Sequence, residues 1–214
     1  MIAEKLLACC SAGGGSGVEV IFLVDFSTAP DGASAADLSG PVSIGAYYQS
    51  IGCAVMSGRL VIQPGGYYSC VNTVYDQISA DDFVVDLLFD GPETPAVNIG
   101  AGPGQLMLPS ASQQIITWQN VANDHEITVS PVMEPPSSHH VAIGRQAGVV
   151  QCWVDGARMY SSADGTSGAM TMAGTLIAPR SATALQLSAA RVARGNIYGD
   201  SATIAVPTLP LGIV

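Results

Sequence analysis

The sequence predicts an all-β protein in which two antiparallel sheets pack face to face as a sandwich. No apolar pattern in the chain is long enough to indicate a helix of three turns. Turn signals rich in Gly, Pro and Asp recur at short intervals between apolar runs that are rich in Val, Ile, Tyr and Phe. Many strands with no helices to cover a parallel sheet imply two antiparallel sheets.

The clearest hairpin signal lies at residues 149–160, where Asp155-Gly156 separates two runs of strand-forming residues. Both central residues of a type I′ turn need positive φ, and Asp-Gly is well suited to that conformation. The preceding run, residues 140–145, alternates in polarity and is joined to the hairpin by Gln146-Ala147-Gly148. A three-strand meander is therefore predicted here.

Residues 82–90 are ambiguous, because Phe83, Val84, Leu87 and Leu88 would also share one face of a short helix. The shortness of the run and the stop at Asp90-Gly91-Pro92 favour a buried strand. Pro64-Gly65-Gly66 reads as a turn that ends a short strand. Further strands are predicted at residues 18–26, 58–62, 114–118, 125–129, 184–192 and 202–207.

One domain is predicted over residues 18–214, after an arm and Gly-rich linker at residues 1–17. The 214 residues suffice for a substantial core. Charged residues make up 11% of the chain, whereas an average chain has roughly 25%. A surface so poor in charge suits a protein that packs against neighbours.

The net charge is −10, from 17 acidic and 7 basic residues. Nucleic acids and anionic membranes are bound by clustered Lys and Arg. A chain with so few basic residues does not supply such clusters, so both classes of partner are excluded. No apolar run reaches the roughly 18–20 residues of a membrane span. The segment before Cys9 is too short for a signal peptide, and Glu4 interrupts it.

The cysteine pattern does not predict a metal site. The spacings are irregular and no pair of Cys-x-x-Cys elements occurs, so a zinc site is not expected. Buried free thiols are the favoured interpretation, and an interchain bridge through Cys9 or Cys10 is the alternative. The five residues are Cys9, Cys10, Cys53, Cys70 and Cys152.

Four motifs resemble those of the concanavalin A-like, laminin-G-like jelly-roll family, and they occur in the same order along the chain as in that family. The resemblance is to the form common in bacterial and phage surface proteins. The most specific is Ser138-His139-His140-Val141-Ala142-Ile143-Gly144-Arg145 through Cys152-Trp153-Val154-Asp155-Gly156. The resemblance covers roughly residues 18–206 and implies a two-sheet antiparallel jelly-roll sandwich with a short N-terminal arm. The other three motifs lie at residues 22–40, 59–71 and 80–89.

No residues stand out as catalytic, so the protein is predicted not to be an enzyme. Glycosidases need two carboxyl groups roughly 5–10 Å apart, and the nearest cluster, Asp81, Asp82 and Asp86, reads as a solvated loop. No nucleophile elbow follows a strand. His139-His140 followed by Arg145 could suggest a metal site or a catalytic base, but His140 is expected to be a packed, hydrogen-bonded residue.

No cofactor is predicted, with calcium as the minor alternative. The family resemblance makes calcium a candidate cofactor, because related modules bind it through carboxylates and carbonyls at a loop rim. No dense Asp/Asn loop is present. The aspartates in turn-like contexts are Asp31, Asp37, Asp124 and Asp200.

The favoured function is a structural or binding module of a tailed-phage virion, such as a capsid decoration, tail or fibre-associated protein. It would be assembled in the host cytoplasm without a signal peptide and would dock on other virion proteins or on copies of itself. The first alternative is a carbohydrate-binding, lectin-like module for host attachment, and the lower one is a glycoside hydrolase. The candidate ligand-binding aromatics are Tyr47, Tyr48, Tyr67, Tyr68 and Trp118.

The N-terminal arm is predicted to anchor the module on a neighbouring subunit. Ile2 and Leu6 are four residues apart, so one helical turn would stack them on a single face. A segment of this length does not hold a helix alone in water, so the arm needs another surface. The arm residues assigned to assembly are Ile2, Leu6, Leu7, Cys9 and Cys10.

Overall fold

The protein was analysed as a computed structural model, and within its described residues every regular element is a β-strand. The described residues are 19–33, 46–78, 82–90, 96–101, 104–110, 115–120, 125–129, 138–163, 170–178, 184–195 and 197–209. The predicted arm and linker, residues 1–17, lie outside them. No helix in these stretches has the length and apolar character needed to span a bilayer.

The strands form one antiparallel hydrogen-bonded network in the order β11-β10-β9-β4-β13-β3-β12-β5-β6-β7-β8, with β1 on β13 and β2 on β3. The strands are β1 (Glu19–Asp25), β2 (Ala46–Met56), β3 (Arg59–Ile78), β4 (Phe83–Asp90), β5 (Ala96–Ala101), β6 (Gly104–Ser110), β7 (Ile115–Asn120), β8 (His125–Val129), β9 (Ser138–Gln146), β10 (Val149–Val154), β11 (Ala157–Ala163), β12 (Met170–Ala178) and β13 (Leu185–Arg194).

The long strand β3 joins the two limbs of this network. Its first part pairs with β13 through Leu60–Ile62, and its second part pairs with β12 through residues 68–78. We call β11, β10, β9, β4 and β13 the β9 limb. The all-β, antiparallel sandwich prediction is confirmed, and β2, β5, β6 and β12 are strands that the sequence did not predict.

Strand β4 explains why a helix was a reasonable alternative and why it does not form. Phe83, Val85, Leu87 and Phe89 belong to the main core cluster, whereas Val84 and Leu88 belong to a second cluster on the opposite face. Burial on both faces produces a continuous apolar run, and the period of two assigns it to a strand. Each such fully buried side chain stabilises the fold by about 1.5–3 kcal/mol.

In the described part of the chain, three hairpins close through two-residue turns with positive φ at both positions. Asp155 and Gly156 have φ of 49° and 84°, as the sequence predicted. Ala147 and Gly148 have 48° and 78°, and Ser57 and Gly58 have 52° and 73°. Such turns match the right-handed twist of the flanking strands.

Pro64-Gly65-Gly66 does not end a strand, contrary to the prediction. It lies inside β3, where the pairing with β2 shifts register between Ile51 and Cys53. A Cβ on Gly66 would lie 2.5 Å from the Ile51 carbonyl oxygen, so only glycine allows this close approach. The segment is a bulge, which continues the strand after a local irregularity.

Residues 202–207 do not form the predicted strand. Within residues 197–204, which we call the strap, one isolated bridge joins Thr203 to Ala157. The strap crosses the β10–β11 hairpin through Arg158 N–H to Ala202 O at 3.0 Å and Ile204 N–H to Gly156 O at 2.8 Å. Strand-like composition was misleading here, because the segment makes a single bridge to β11 and does not continue as a ladder.

Candidate functional site

The β9 limb has a core face and an outer face, and the outer face has two parts with different environments. The strap covers one part, where Trp153 donates its indole Nε1–H to the Ser201 carbonyl oxygen at 2.9 Å. The other part, near the start of β3, stays open to solvent. These two parts contain the two polar clusters of the described chain that could carry a function.

Beneath the strap, Asp86 is the centre of a buried polar cluster. Its Oδ2 accepts hydrogen bonds from Arg191 Nε at 2.9 Å and Nη2 at 2.7 Å. Its Oδ1 accepts from the Tyr198 hydroxyl at 2.7 Å and lies 2.9 Å from His140 Nε2. Strands β4, β9 and β13 and the strap each contribute one side chain.

The electrostatics of the cluster keep Asp86 ionised. Burial alone would raise its pKa, but the His140 hydrogen bond, the Arg191 charge and the Tyr198 hydrogen bond together hold the pKa below its usual value. Burial, followed by the adjacent Asp86 carboxylate, raises the pKa of Tyr198, so this hydroxyl stays protonated and donates. The Asp86 carboxylate and the Arg191 guanidinium therefore form a buried ion pair.

This cluster has the properties of a structural element. The side chains of Asp86 and His140 are both 0% exposed, so a substrate has no access to them while the strap is in place. Asp82, from the same carboxylate cluster, accepts the Ala147 backbone N–H at 2.8 Å. The prediction that these carboxylates lie in a solvated loop is wrong for Asp86, because β4 carries it into the sheet.

The open part of the outer face contains a row of direct cross-strand partners, which we call the outer row. Ser138 pairs with Asp90, Asp90 with Gln186, Gln186 with Val61, and Val61 with Ala54. Direct partners in an antiparallel sheet project to the same side. None of the five is buried, whereas the next row inward, which includes Phe89, Leu187 and Leu60, is core.

Polar groups converge at one end of the outer row. Asp90 accepts a hydrogen bond from the Ser138 hydroxyl. It also forms an ion pair with Arg59 Nε. The Gln186 amide is exposed beside them. At the other end Ala54 is exposed and Met56, which precedes the β2–β3 turn, is 56% exposed. The row thus presents carboxylate, hydroxyl, guanidinium and amide groups next to an apolar surface.

The sequence did not identify the outer row, because its members are far apart in the chain and meet only through strand register. The Asp90-Gly91 strand end was the one visible signal. The prediction that His140 is packed and hydrogen-bonded fits its buried position, with Nε2 2.9 Å from Asp86 Oδ1. His139 lies against Phe89, and its Nδ1 is 2.9 Å from Asp155 Oδ2. Asp155 Oδ1 also accepts the His140 backbone N–H at 2.8 Å, which ties the two parts of the most specific motif together.

The five aromatic residues predicted as ligand-binding candidates lie in different environments. The prediction that Tyr68 belongs to a ligand platform is wrong, because this side chain is fully buried in the main core. Its ring packs edge-on against Phe26, with 5.9 Å between the ring centroids. Tyr67 is partly exposed, and its carbonyl oxygen accepts a hydrogen bond from the Cys53 thiol at 3.1 Å. Tyr47 and Tyr48 lie in β2 and Trp118 lies in β7, but their side chains are outside the described part, as are the arm residues Ile2, Leu6, Leu7, Cys9 and Cys10.

Within the described residues, no three His, Cys, Asp or Glu side chains converge as a metal site would require. Of the candidate calcium aspartates, Asp31 accepts the Ser57 N–H at 2.7 Å, and Asp200 accepts from Gln151 at 2.7 Å and from Arg158 at 2.5 Å. Asp37 and Asp124 lie outside the described residues.

Cys53 and Cys152 are the two cysteines whose side chains the structure describes, and both are free thiols. Burial raises the pKa of Cys152 to about 12 and that of Cys53 to about 11. Both thiols are therefore protonated near neutral pH and unreactive as nucleophiles.

No protein-family model matches this sequence, and no curated protein matches it. Solved structures do match. The receptor-binding domain of botulinum neurotoxin D has a TM-score of 0.62 at 10% identity, over 83% of this chain and 50% of that one. The carbohydrate recognition domain of Emp46p, in its potassium-bound form, has a TM-score of 0.51 at 11% identity, over 83% of this chain and 97% of that one.

A third match is the botulinum neurotoxin serotype D ligand binding domain in complex with N-acetylneuraminic acid. Its TM-score is 0.56 at 8% identity, over 71% of this chain and 43% of that one. The chain spans about half the length of the neurotoxin binding domains that it matches, 48% for serotype G. Identities this low establish the fold alone: the chain has the all-β jelly-roll fold that lectin-like binding domains share.

Proposed function

We propose that the chain is a carbohydrate-binding module and that the outer row holds its ligand. The observation that carries the proposal is the open row itself, in which Asp90, Ser138 and Gln186, with Arg59 paired to Asp90, present hydrogen-bonding groups on a sheet. Matches to a carbohydrate recognition domain and to a domain in complex with N-acetylneuraminic acid support it.

The chemistry of the row suits a sugar. Sugar hydroxyls donate to carboxylates and accept from guanidinium and amide N–H groups, while apolar ring faces pack on side chains such as Met56. Five strands at the usual spacing make the row roughly 19 Å long. That length favours a linear oligosaccharide laid across the strands over a single sugar ring.

A glycan array followed by titration calorimetry tests this proposal. We expect Asp90→Asn and Ser138→Ala to weaken binding of an array hit about tenfold, the loss of one good hydrogen bond. The matched control is Ser161→Ala, which removes a hydroxyl from another exposed serine, on β11. Unchanged affinity in both row variants would place the site elsewhere, and no binding at millimolar glycan would reject a carbohydrate ligand.

We also propose that binding occurs without catalysis, which is supported by the enclosure of Asp86 under the strap. The measurement is product release from a panel of polysaccharides. Turnover that Asp82→Asn or Asp86→Asn abolishes, in protein that remains folded, would overturn this part of the proposal.

The placement in a tailed-phage virion, with docking on other virion proteins or further copies, is a separate proposal. Its support is the sparse charge of the chain, 11%, and the apolar arm. We expect deletion of residues 1–12 to leave thermal unfolding nearly unchanged and to abolish incorporation into the particle. Normal incorporation of the shortened protein would contradict it.

A further inference from the structure

Asp90 is the one charged residue among the five of the outer row, and the chain itself supplies its countercharge. Its carboxylate forms an ion pair with Arg59 and accepts a hydrogen bond from the Ser138 hydroxyl. The Asp90 side chain is 18% exposed and that of Arg59 is 39% exposed. A ligand on the row therefore meets a partly enclosed carboxylate that already has a cation beside it.

The three other arginines whose side chains the structure describes are committed elsewhere. Arg191 pairs with Asp86 beneath the strap, and Arg158 pairs with Asp200. Arg145 is buried. Within the described part of the chain, the cation that an acidic ligand on the outer row could use is therefore the one already paired with the row's own carboxylate.

An acidic sugar would meet negative charge at both ends of the row. The chain has a net charge of −10. A second carboxylate, that of Asp31, binds the backbone N–H of Ser57, the residue after Met56 at the apolar end. To bind an acidic sugar, Arg59 would have to leave Asp90, and the sugar carboxylate would then lie beside an unpaired Asp90. Like charges brought together in this way discriminate strongly against a ligand.

A neutral sugar avoids both costs. Its hydroxyls can donate to the Asp90 carboxylate and accept from N–H groups of Arg59 and Gln186 while the ion pair stays in place. Hydrogen bonds to charged groups are the stronger ones, so the ion pair also contributes to binding.

We propose that the outer row selects neutral oligosaccharides and rejects chains whose sugars carry carboxylate, sulfate or phosphate groups. The inference rests on the proposed carbohydrate site and adds the charge class of its ligand. The Asp90–Arg59 pair is the element that sets this selectivity. The outer row would therefore differ in ligand class from the neurotoxin domain of similar fold that is in complex with N-acetylneuraminic acid, an acidic sugar.

Matched sets of oligosaccharides test this selectivity with the full chain. A glycan array carries β-1,4-linked glucose and mannose hexasaccharides, the glucuronate and mannuronate hexasaccharides of the same linkage, and the methyl esters of these uronates. It also carries galactose-terminated chains with and without a cap of N-acetylneuraminic acid. Calorimetry of the sets that bind follows in 0.15 M salt, where the Debye length of about 8 Å screens distant charges of the chain.

We expect the neutral member of a set to bind at least about tenfold more tightly than the carboxylate member. The methyl ester should bind as the neutral member does, which would attribute the difference to charge and not to shape. This comparison needs no variant of the protein.

Asp90→Asn assigns the preference to the row. It removes the repelling carboxylate and leaves Arg59 to receive the acidic ligand, so the ratio of the two affinities should fall to about one. Asp200→Asn is the matched control, because it also removes one carboxylate from an arginine pair, away from the row. It should keep the wild-type ratio.

The outcomes separate this inference from the carbohydrate site on which it rests. Equal or tighter binding of the carboxylate member by wild type would keep the site and overturn the neutral selectivity. A neutral preference that Asp90→Asn leaves unchanged would also overturn it, because the row's charge would not set the preference. Absence of binding by every set would reject the carbohydrate site itself and this inference with it.

Discussion

Asp86 on β4 and Arg191 on β13 are direct cross-strand partners, and their side chains form an ion pair. Arg191 Nη2 and Nε lie 2.7 and 2.9 Å from Asp86 Oδ2. Backbone pairing therefore fixes the separation of the two charges before their side chains are ordered. Removing one charge leaves the other buried without compensation, which is the costly case for a buried pair.

Asp86→Asn should accordingly lower the free energy of unfolding by about 3–5 kcal/mol. Urea denaturation followed by circular dichroism measures this loss. Asp200→Asn is the control, because its side chain is 82% exposed and exposed ion pairs contribute little. If both variants lose equally little stability, Asp86 is not the structural centre that its burial indicates.

The depressed pKa of Asp86 also predicts how stability responds to acid. A carboxyl whose folded pKa lies below its unfolded value, about 3.9, contributes stability that is complete above that value. The contribution disappears as pH falls through the folded pKa. The difference in unfolding free energy between wild type and Asp86→Asn should therefore be constant near pH 5 and shrink below about pH 4. A difference that grows on acidification has the wrong sign for this account.

Gly156 links the predicted hairpin to the strap. Its φ is +84°, and an added Cβ would lie 2.7 Å from the Ile204 carbonyl oxygen. Gly32 has a similar φ of +80° with nothing within 4 Å of an added Cβ. Gly32→Ala should cost about 1–2 kcal/mol from backbone strain alone, and Gly156→Ala about 1–3 kcal/mol more because the strap must move. Equal losses in urea denaturation would mean that the strap does not pack tightly on the turn.

Much of the fold could be predicted because local chemistry specifies it. Asp155-Gly156 suits a type I′ turn by conformation alone, and β8 begins and ends at the predicted residues, His125 and Val129. The errors occur where tertiary contacts override local pattern. Pro64-Gly65-Gly66 has the composition of a turn, but pairing with β2 carries β3 through it.

The candidate site was far less predictable. The outer row depends on the register of five strands, and no local pattern in the sequence encodes the meeting of Ser138, Asp90 and Gln186. The Asp86 cluster was hidden for the same reason, since Asp86 and Tyr198 are 112 residues apart. Aromatic doublets drew attention instead, yet Tyr68 is a core residue.

The central claim, that a glycan lies along the outer row, is tested most directly by mapping the bound ligand. Backbone amide shifts of the isotope-labelled protein, recorded during titration with a glycan that the array identifies, locate the contact without any mutation. The account predicts the largest shifts at Asp90, Ser138 and Gln186, with little change over residues 149–161 on the β10–β11 hairpin. Saturable shifts confined to other residues, with the outer row unchanged, would contradict it.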